Sequence, residues 1–358
     1  MNKKPDMQFC ISEKTLVENF EKISKFGNVY YPLKTNSNPQ ILKLIKPLVC
    51  EKSGGFLISS IKHFSVLKKL GVNEQKMAFI NVCSDAKTIK KLYQKNVRFF
   101  VFDDMSELEK FAKYADKKTA KVCVRISVCE VFDCDFSHLG ASLKIAIQML
   151  NFLKNNGFLY GISFYLHKKL KFLDNSIQIM LDYISKNFMD YNIKFLNIGG
   201  IFENTNGVLS KLAEIKTQLN IDEINLEPGT KLVENCVDLY SKILRVRYIK
   251  NNICLIVKNG IYSGFFDSVL YGKKFDVFLA NGQMIPLQKC KSKDMVSVKI
   301  FGPTSDSDDF VGEYYLQKSD VEKIMSCDYI LIKNCGAYFE ELFVDYCQDN
   351  SKQYIITK

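Results

Sequence analysis

Three short stretches of this 358-residue chain set reactive or anion-accepting groups directly after apolar runs. In "VYYPLKTNSNP", residues 29–39, Lys34 follows a Val-Tyr-Tyr-Pro-Leu run and precedes a polar turn that ends in proline. Lysine is seldom buried without a partner. An amine at the end of a buried strand therefore either lies along the surface by its stem or carries chemistry. Held partly out of water, its pKa falls and it becomes a nucleophile able to form a Schiff base with a carbonyl. In "NIGGIFEN", Gly199 and Gly200 close a second apolar run. Glycines there either make a simple turn or let backbone N–H groups approach a phosphate closely. In "NLEPGT", Glu227 stands ahead of a Pro-Gly turn, as a surface acid or as a carboxylate able to keep a pyridine nitrogen protonated.

Elements that could bring these groups together are legible from residue 28 to about 235. Eight short apolar runs ("VYYPLK", "FLISS", "KMAFINV", "RFFVFD", "KVCVRISV", "GISFYLH", "KFLNIGG", "EINLEPG") alternate with seven segments of helical periodicity, from "PQILKLIKPLV" to "VLSKLAEIKTQLN". An eighth helix is expected in "KLVENCVDLYSKIL". Such alternation predicts a parallel sheet. Eight units in roughly 210 residues suit a (β/α)8 TIM barrel better than an open doubly wound sheet. Barrel chemistry sits on the loops after the strands' C-terminal ends, where Lys34, Gly199–Gly200 and Glu227 all fall. A lysine, a phosphate cradle and a glutamate on one mouth are what pyridoxal phosphate requires. Beyond about residue 243, β-branched and aromatic runs divided by Asn-Asn and Asn-Gly turns predict a C-terminal all-β domain. The expected division is a barrel at 28–240 and a β domain made of 1–27 plus 241–358.

Bulk properties narrow the classes. Hydrophobic residues make up 47% and charged residues 25%, an ordinary globular balance, and no apolar run approaches the roughly 18 residues that would cross a bilayer. The N-terminus has lysines but no apolar core behind them, so a cytoplasmic protein is expected. The net charge of +11 comes from scattered lysines mixed with acids, without the basic, aromatic-interleaved patch of a nucleic-acid binder. Twelve cysteines and three histidines lack zinc spacing, so reduced thiols and no metal are expected.

"YYPLKTNSNP", "NIGG", "EPG", "GPTSDSDD" and "NCGAY" occur in an order that resembles the fold-type III, pyridoxal-phosphate-dependent decarboxylases of ornithine, arginine and diaminopimelate. "IYSGFFDSVLYGKKF" and "GGFLISSIKHFSVLKKLGV" are similar to further stretches of that family, so the resemblance covers nearly the whole chain. It implies a Schiff-base role for Lys34 and a partnership of Glu227 with the pyridine nitrogen. It also implies phosphate binding around Gly199, Gly200 and Gly229, with Tyr338 near the phosphate. Asp306 in "GPTSDSDD" would receive the distal end of the substrate, on a loop that reaches into a partner's site in a homodimer. The implied reaction removes the α-carboxylate of an amino acid.

Several positions depart from the family's pattern. Ser305 replaces the usual cysteine, and a hydroxyl is a poorer acid for returning a proton. The ring-stacking histidine falls on Tyr165, with His167 two residues on and on the same face of a strand; either could stack. Thr230 replaces an arginine that Lys231 could partly replace, Ile201 replaces a third glycine, and Leu57 an aspartate. These changes leave the substrate open between a basic amino acid (ornithine, lysine, diaminopimelate) and an amino-acid moiety of a siderophore or peptide-antibiotic precursor. A pyridoxal-phosphate-dependent racemase on the same fold, and an inactive homologue acting as a binding protein, are the alternatives.

Overall fold

The computed structural model describes residues 5–52, 54–81, 84–135, 137–167, 170, 175–200, 208–280, 282–344, 346–347 and 351–358. It divides into two units, Phe20–Lys231 and the residues up to Asn19 together with Leu232–Lys358. Ile201 lies outside the described residues.

The first strand, β1 (Met7–Ser12), belongs to the second unit. The next eight form a closed parallel barrel in chain order: β2 (Asn28–Pro32), β3 (Gly55–Ile58), β4 (Met77–Ile80), β5 (Phe99–Phe102), β6 (Lys121–Arg125), β7 (Leu159–Leu166), β8 (Phe195–Gly200) and β9 (Glu223–Glu227). Pairing of Asn28 with Asn225 and of Val29 with Leu226 closes the ring. Tyr30, Leu57, Ala78, Phe99, Val101, Cys123 and Phe195 pack into one buried cluster. Phe99 presents its face or edge to both Tyr30 and Phe195 in T-shaped contacts, at 5.7 and 5.3 Å between centroids. Leu57, where the family pattern carries an acid, is one of these apolar residues and is 3% exposed.

All seven expected helices are present. Several start on a side-chain cap, which anchors the short loops leaving the strands. Asn38 accepts from Gln40 N at 2.8 Å ahead of Pro39, Asp85 from Thr88 N at 2.6 Å, and Asp104 from Glu107 N at 3.1 Å. The eighth helix is largely absent. Only Thr230–Val233 is α-helical, followed by a 3-10 turn at Glu234–Cys236 and then by β10 (Val237–Ile249). From Val237 to Ser241 burial alternates with period two, because β10 is paired on both sides there, with β1 and with a later strand. Tertiary pairing overrode a pattern that a helix could also satisfy.

Among the described residues the second unit holds a mostly antiparallel nine-stranded sheet. Its remaining strands are β11 (Asn252–Val257), β12 (Val277–Ala280), β13 (Met284–Leu287), β14 (Met295–Phe301), β15 (Phe310–Gln317), β16 (Tyr329–Ile332) and β17 (Lys352–Thr357). The order is β13-β12-β16-β10-β11-β14-β15, with β1 between β10 and β17. Among the described residues no helix is long and apolar enough to cross a membrane.

Candidate active site

Lys34 sits in the turn immediately after β2. Hydrogen bonds hold that turn: Thr35 N donates to Pro32 O at 3.0 Å, the Tyr31 hydroxyl to Asn36 O at 3.0 Å, and Asn38 N to Asn36 Oδ1 at 3.0 Å. The Lys34 side chain is exposed, while its amine reaches to within 5.9 Å of the Tyr165 ring centre. Burial is the largest influence and holds that amine below the ordinary lysine value of 10.5, with Glu227 opposing the shift and Arg125 adding to it. Because the uncharged form is reached early, Lys34 should react with an amine reagent at about pH 8 ahead of surface lysines. A labelling profile by peptide mass spectrometry should show a midpoint under 10.5; a midpoint at or above that value contradicts the geometry.

Across the barrel mouth, strand register aligns Tyr165 with Gly199, and Gly199 with Glu227. Lys34 Nζ lies 5.9 Å from the centre of the Tyr165 ring, and Arg125, at the end of β6, places its guanidinium carbon 5.9 Å from the same centre. His167 lies just past β7, its ring 6.2 Å from that of Tyr165 and inclined at 67°. Glu227 ends β9 and is 9% exposed. Burial raises its carboxyl above the ordinary glutamate range, while Arg125, Lys34 and a hydrogen bond from Asn197 pull it back. The amine and the carboxyl are thus each pushed by desolvation toward neutrality, a mark of a chemical site.

The glycines have local reasons. A Cβ on Gly199 would stand 2.9 Å from Glu227 Oε2 and 3.1 Å from the Tyr165 ring, inside the space between them. Gly200 has φ +107, and a Cβ there would lie 2.0 Å from Leu166 O. Gly229 abuts Thr35, whose Oγ1 is buried and has no hydrogen-bond partner among the described residues. An amine held below the ordinary lysine value, an aromatic face, a buried carboxyl and a glycine-lined gap suit an aldehyde-bearing pyridine phosphate.

Sequence reading overlooked Arg125, Asp103 and Asn197. Arg125 closes "KVCVR" at a strand end as Lys34 closes its own run. Asp103 follows β5 and accepts from Gly140 N at 2.8 Å.

Ser305, Asp306 and Tyr338 belong to the second unit. Ser305 is exposed on the loop between β14 and β15. Asp306 accepts from the Tyr262 hydroxyl at 2.5 Å and from Asp308 N at 2.9 Å. The Tyr262 bond, then the backbone one, keep its carboxyl below the usual range, while Tyr262 is pushed up to about 12 and so stays a donor. Asp309, 1% exposed, accepts from Ile261 N at 2.8 Å and from Thr304 Oγ1 at 2.7 Å, fastening this loop to residues 260–262. Tyr338 has φ +61, a strained conformation for a bulky residue. Its neighbour Phe339 fixes it by packing on Phe265 at 5.2 Å and Phe275 at 5.7 Å.

The chain is similar to the lysine/ornithine decarboxylase of Selenomonas ruminantium, 27% identical over 264 residues. That match covers 68% of this chain and 65% of the relative, just under two thirds of its length. The ornithine decarboxylase of Candida albicans is 25% identical, over 90% of this chain and 76% of that protein. The arginine decarboxylase of Paramecium bursaria Chlorella virus has the same fold, with TM-score 0.78 at 16% identity, over 99% of this chain and 97% of that one. The family model for the pyridoxal-binding domain of pyridoxal-dependent decarboxylases matches residues 13–234, which take in every barrel strand and the Lys34–Tyr165–Glu227 cluster. The chain therefore belongs to the pyridoxal-dependent decarboxylases, and pyridoxal 5'-phosphate is its cofactor.

Proposed function

We propose that the protein removes the α-carboxylate of a basic amino acid of the ornithine, lysine or arginine type, with Lys34 as the residue that carries the cofactor. The observation that supports this most is the meeting of Lys34, Tyr165 and Glu227 on one barrel mouth. Bound there, pyridoxal phosphate supplies an electron sink for the pair left behind when a carboxylate departs. Lys34 Nζ, its pKa held below the ordinary lysine value by burial, acts as the nucleophile toward the carbonyl and as a proton carrier. Glu227 holds a proton on the ring nitrogen by its charge, and Tyr165 offers a flat face, with His167 beside it. Backbone N–H groups around Gly199, Gly200 and Gly229 take the phosphate.

The net change breaks one bond between Cα and the carboxyl carbon, releases CO₂ and places one proton on Cα. With Ser305 too weak an acid for that transfer, Lys34 Nζ is the group we assign to it. Asp306, its carboxyl held below the usual range and oriented by Tyr262, receives the distal cation of a substrate bound by a partner copy of the chain. A homodimer fits the apolar helix Phe266–Tyr271, where Val269, Leu270 and Tyr271 are all exposed. A cytoplasmic setting fits the free cysteines among the described residues.

Purified protein with pyridoxal phosphate, offered ornithine, lysine, arginine, diaminopimelate and amino-acid conjugates, should release CO₂ from at least one of them. Loss of optical activity without CO₂ would select racemisation. Cofactor binding with no turnover of any candidate would leave only a binding protein.

A further inference from the structure

Beneath the Glu227 level, the barrel interior carries a polar stripe within its apolar packing. Strand register sets Ser163 beside Asn197, Asn197 beside Asn225, and Asn225 beside Asn28. Asn197 and Asn225 are 1% and 0% exposed, while Asn28 is half-buried and lines a cavity of about 610 Å³ between the strand starts and the helix Val208–Gln218. The amides are linked in one direction. Asn28 Nδ2 donates to Asn225 Oδ1 at 3.1 Å, Asn225 Nδ2 to Asn197 Oδ1 at 3.0 Å, and Asn197 Nδ2 to Glu227 Oε1 at 3.5 Å.

This direction has a physical reason. An ionised carboxylate only accepts, so Asn197 must turn its NH₂ toward Glu227 and its oxygen away. That oxygen then needs a donor, which Asn225 supplies, and Asn28 supplies the next. All three amide dipoles consequently point their positive ends toward one buried carboxylate. Burying two amides in an apolar barrel costs free energy unless every link is made, and Leu or Val at these positions would pack without that demand.

We infer that Asn28, Asn225 and Asn197 form a line of positioning residues that orients Glu227 and stabilises its ionised form. The inference deepens the proposed function, since it concerns the carboxylate which that reading assigns to the ring nitrogen. Other groups also face Glu227: Arg125 and Cys123 from β6, Lys34 from the turn after β2, and Tyr165 from β7. Arg125 and Lys34 favour the charged carboxylate too, so the amides' share must be measured with both cations intact.

The test uses the full chain, grown with glutamate labelled with ¹³C at the side-chain carboxyl, without cofactor or substrate. The Glu227 signal is identified as the one missing from Glu227→Gln. Replacing Asn225 by Leu should raise the midpoint of its titration by about one pH unit, a tenfold fall in its ionisation constant. Asn197→Leu should do at least as much, and Asn28→Leu should give a smaller rise of about threefold. Should Asn225→Leu fail to fold, the half-buried Asn28→Leu carries the test alone. An unchanged midpoint in the folded variants, even with a lowered Tm, means that the amides only pack, and overturns the inference. Adding pyridoxal phosphate labelled with ¹⁵N in the ring then separates the two readings. Wild-type protein that never binds the cofactor fails the proposed function alone. Binding with a ring-nitrogen signal less protonated in Asn225→Leu supports both.

Discussion

Replacing Lys34 by alanine lowers CO₂ release by about 10³-fold or more, close to 4 kcal/mol of activation free energy. The size of the effect follows from the site, because this amine is both the nucleophile and the proton carrier in the proposed reaction. The fold should be indifferent to the change. The turn that presents Lys34 is held by Pro32, Tyr31, Asn36 and Asn38, and the lysine side chain is not part of the buried core. Circular dichroism and Tm of the variant should therefore match the parent. Lys34→Arg separates charge from nucleophilicity: it keeps a cation and should be as inactive as alanine. Borohydride treatment of the cofactor-loaded parent should add the mass of the reduced cofactor to the Lys34 peptide, and neither variant should show that addition. A Lys34→Ala protein that releases CO₂ at the parental rate would remove the proposed function, whatever the fold.

Much of this architecture is legible in the sequence, because a barrel repeats one unit eight times and every unit ends at the same face. "VYYPLK" and "NLEPG" each place a polar group one or two residues past an apolar run, which puts Lys34 and Glu227 at the mouth without knowledge of the other strands. The same reasoning reaches Arg125 in "KVCVR", where a strand-end cation reads equally well as a surface charge. The amide line is harder to see. Asn225 lies two residues before Glu227 and Asn197 two before Gly199, so alternation alone points both inward. That they sit side by side depends on the register between β8 and β9, which no local pattern contains.

Partnerships across long sequence separations were equally hidden. Nothing near "GPTSDSDD" announces that Tyr262, 44 residues earlier, donates to Asp306. The stretch from 231 to 244 misled for a related reason. Its apolar residues satisfy a helical period as well as an alternating one, and only pairing of β10 with strands from both ends of the chain decides between them. The glycine pair carries a second signal that the local sequence does not show: the nearest obstacles to a side chain at Gly199 are Glu227 and Tyr165, from two other strands.

Replacing Glu227 by glutamine tests the electrostatic half of the site, with a loss in kcat/KM of about 10²–10³-fold, or roughly 3–4 kcal/mol. The neutral amide fills the same volume and still accepts from Asn197, so the fold and the barrel mouth survive. What disappears is the negative charge between Arg125 and Lys34. Glu227 raises the Lys34 pKa while burial and Arg125 lower it, so its removal shifts the amine further down. The Lys34 labelling profile must then move to lower pH, the reverse of what loosening the turn would do by exposing the amine to water. Substrate affinity should change little, since the distal cation is assigned to Asp306 of a partner copy rather than to Glu227, and the loss should fall mainly on kcat. A Glu227→Gln protein whose labelling midpoint stays fixed would show that the carboxylate does not govern the lysine. An unchanged kcat would show that it does not govern the ring nitrogen either.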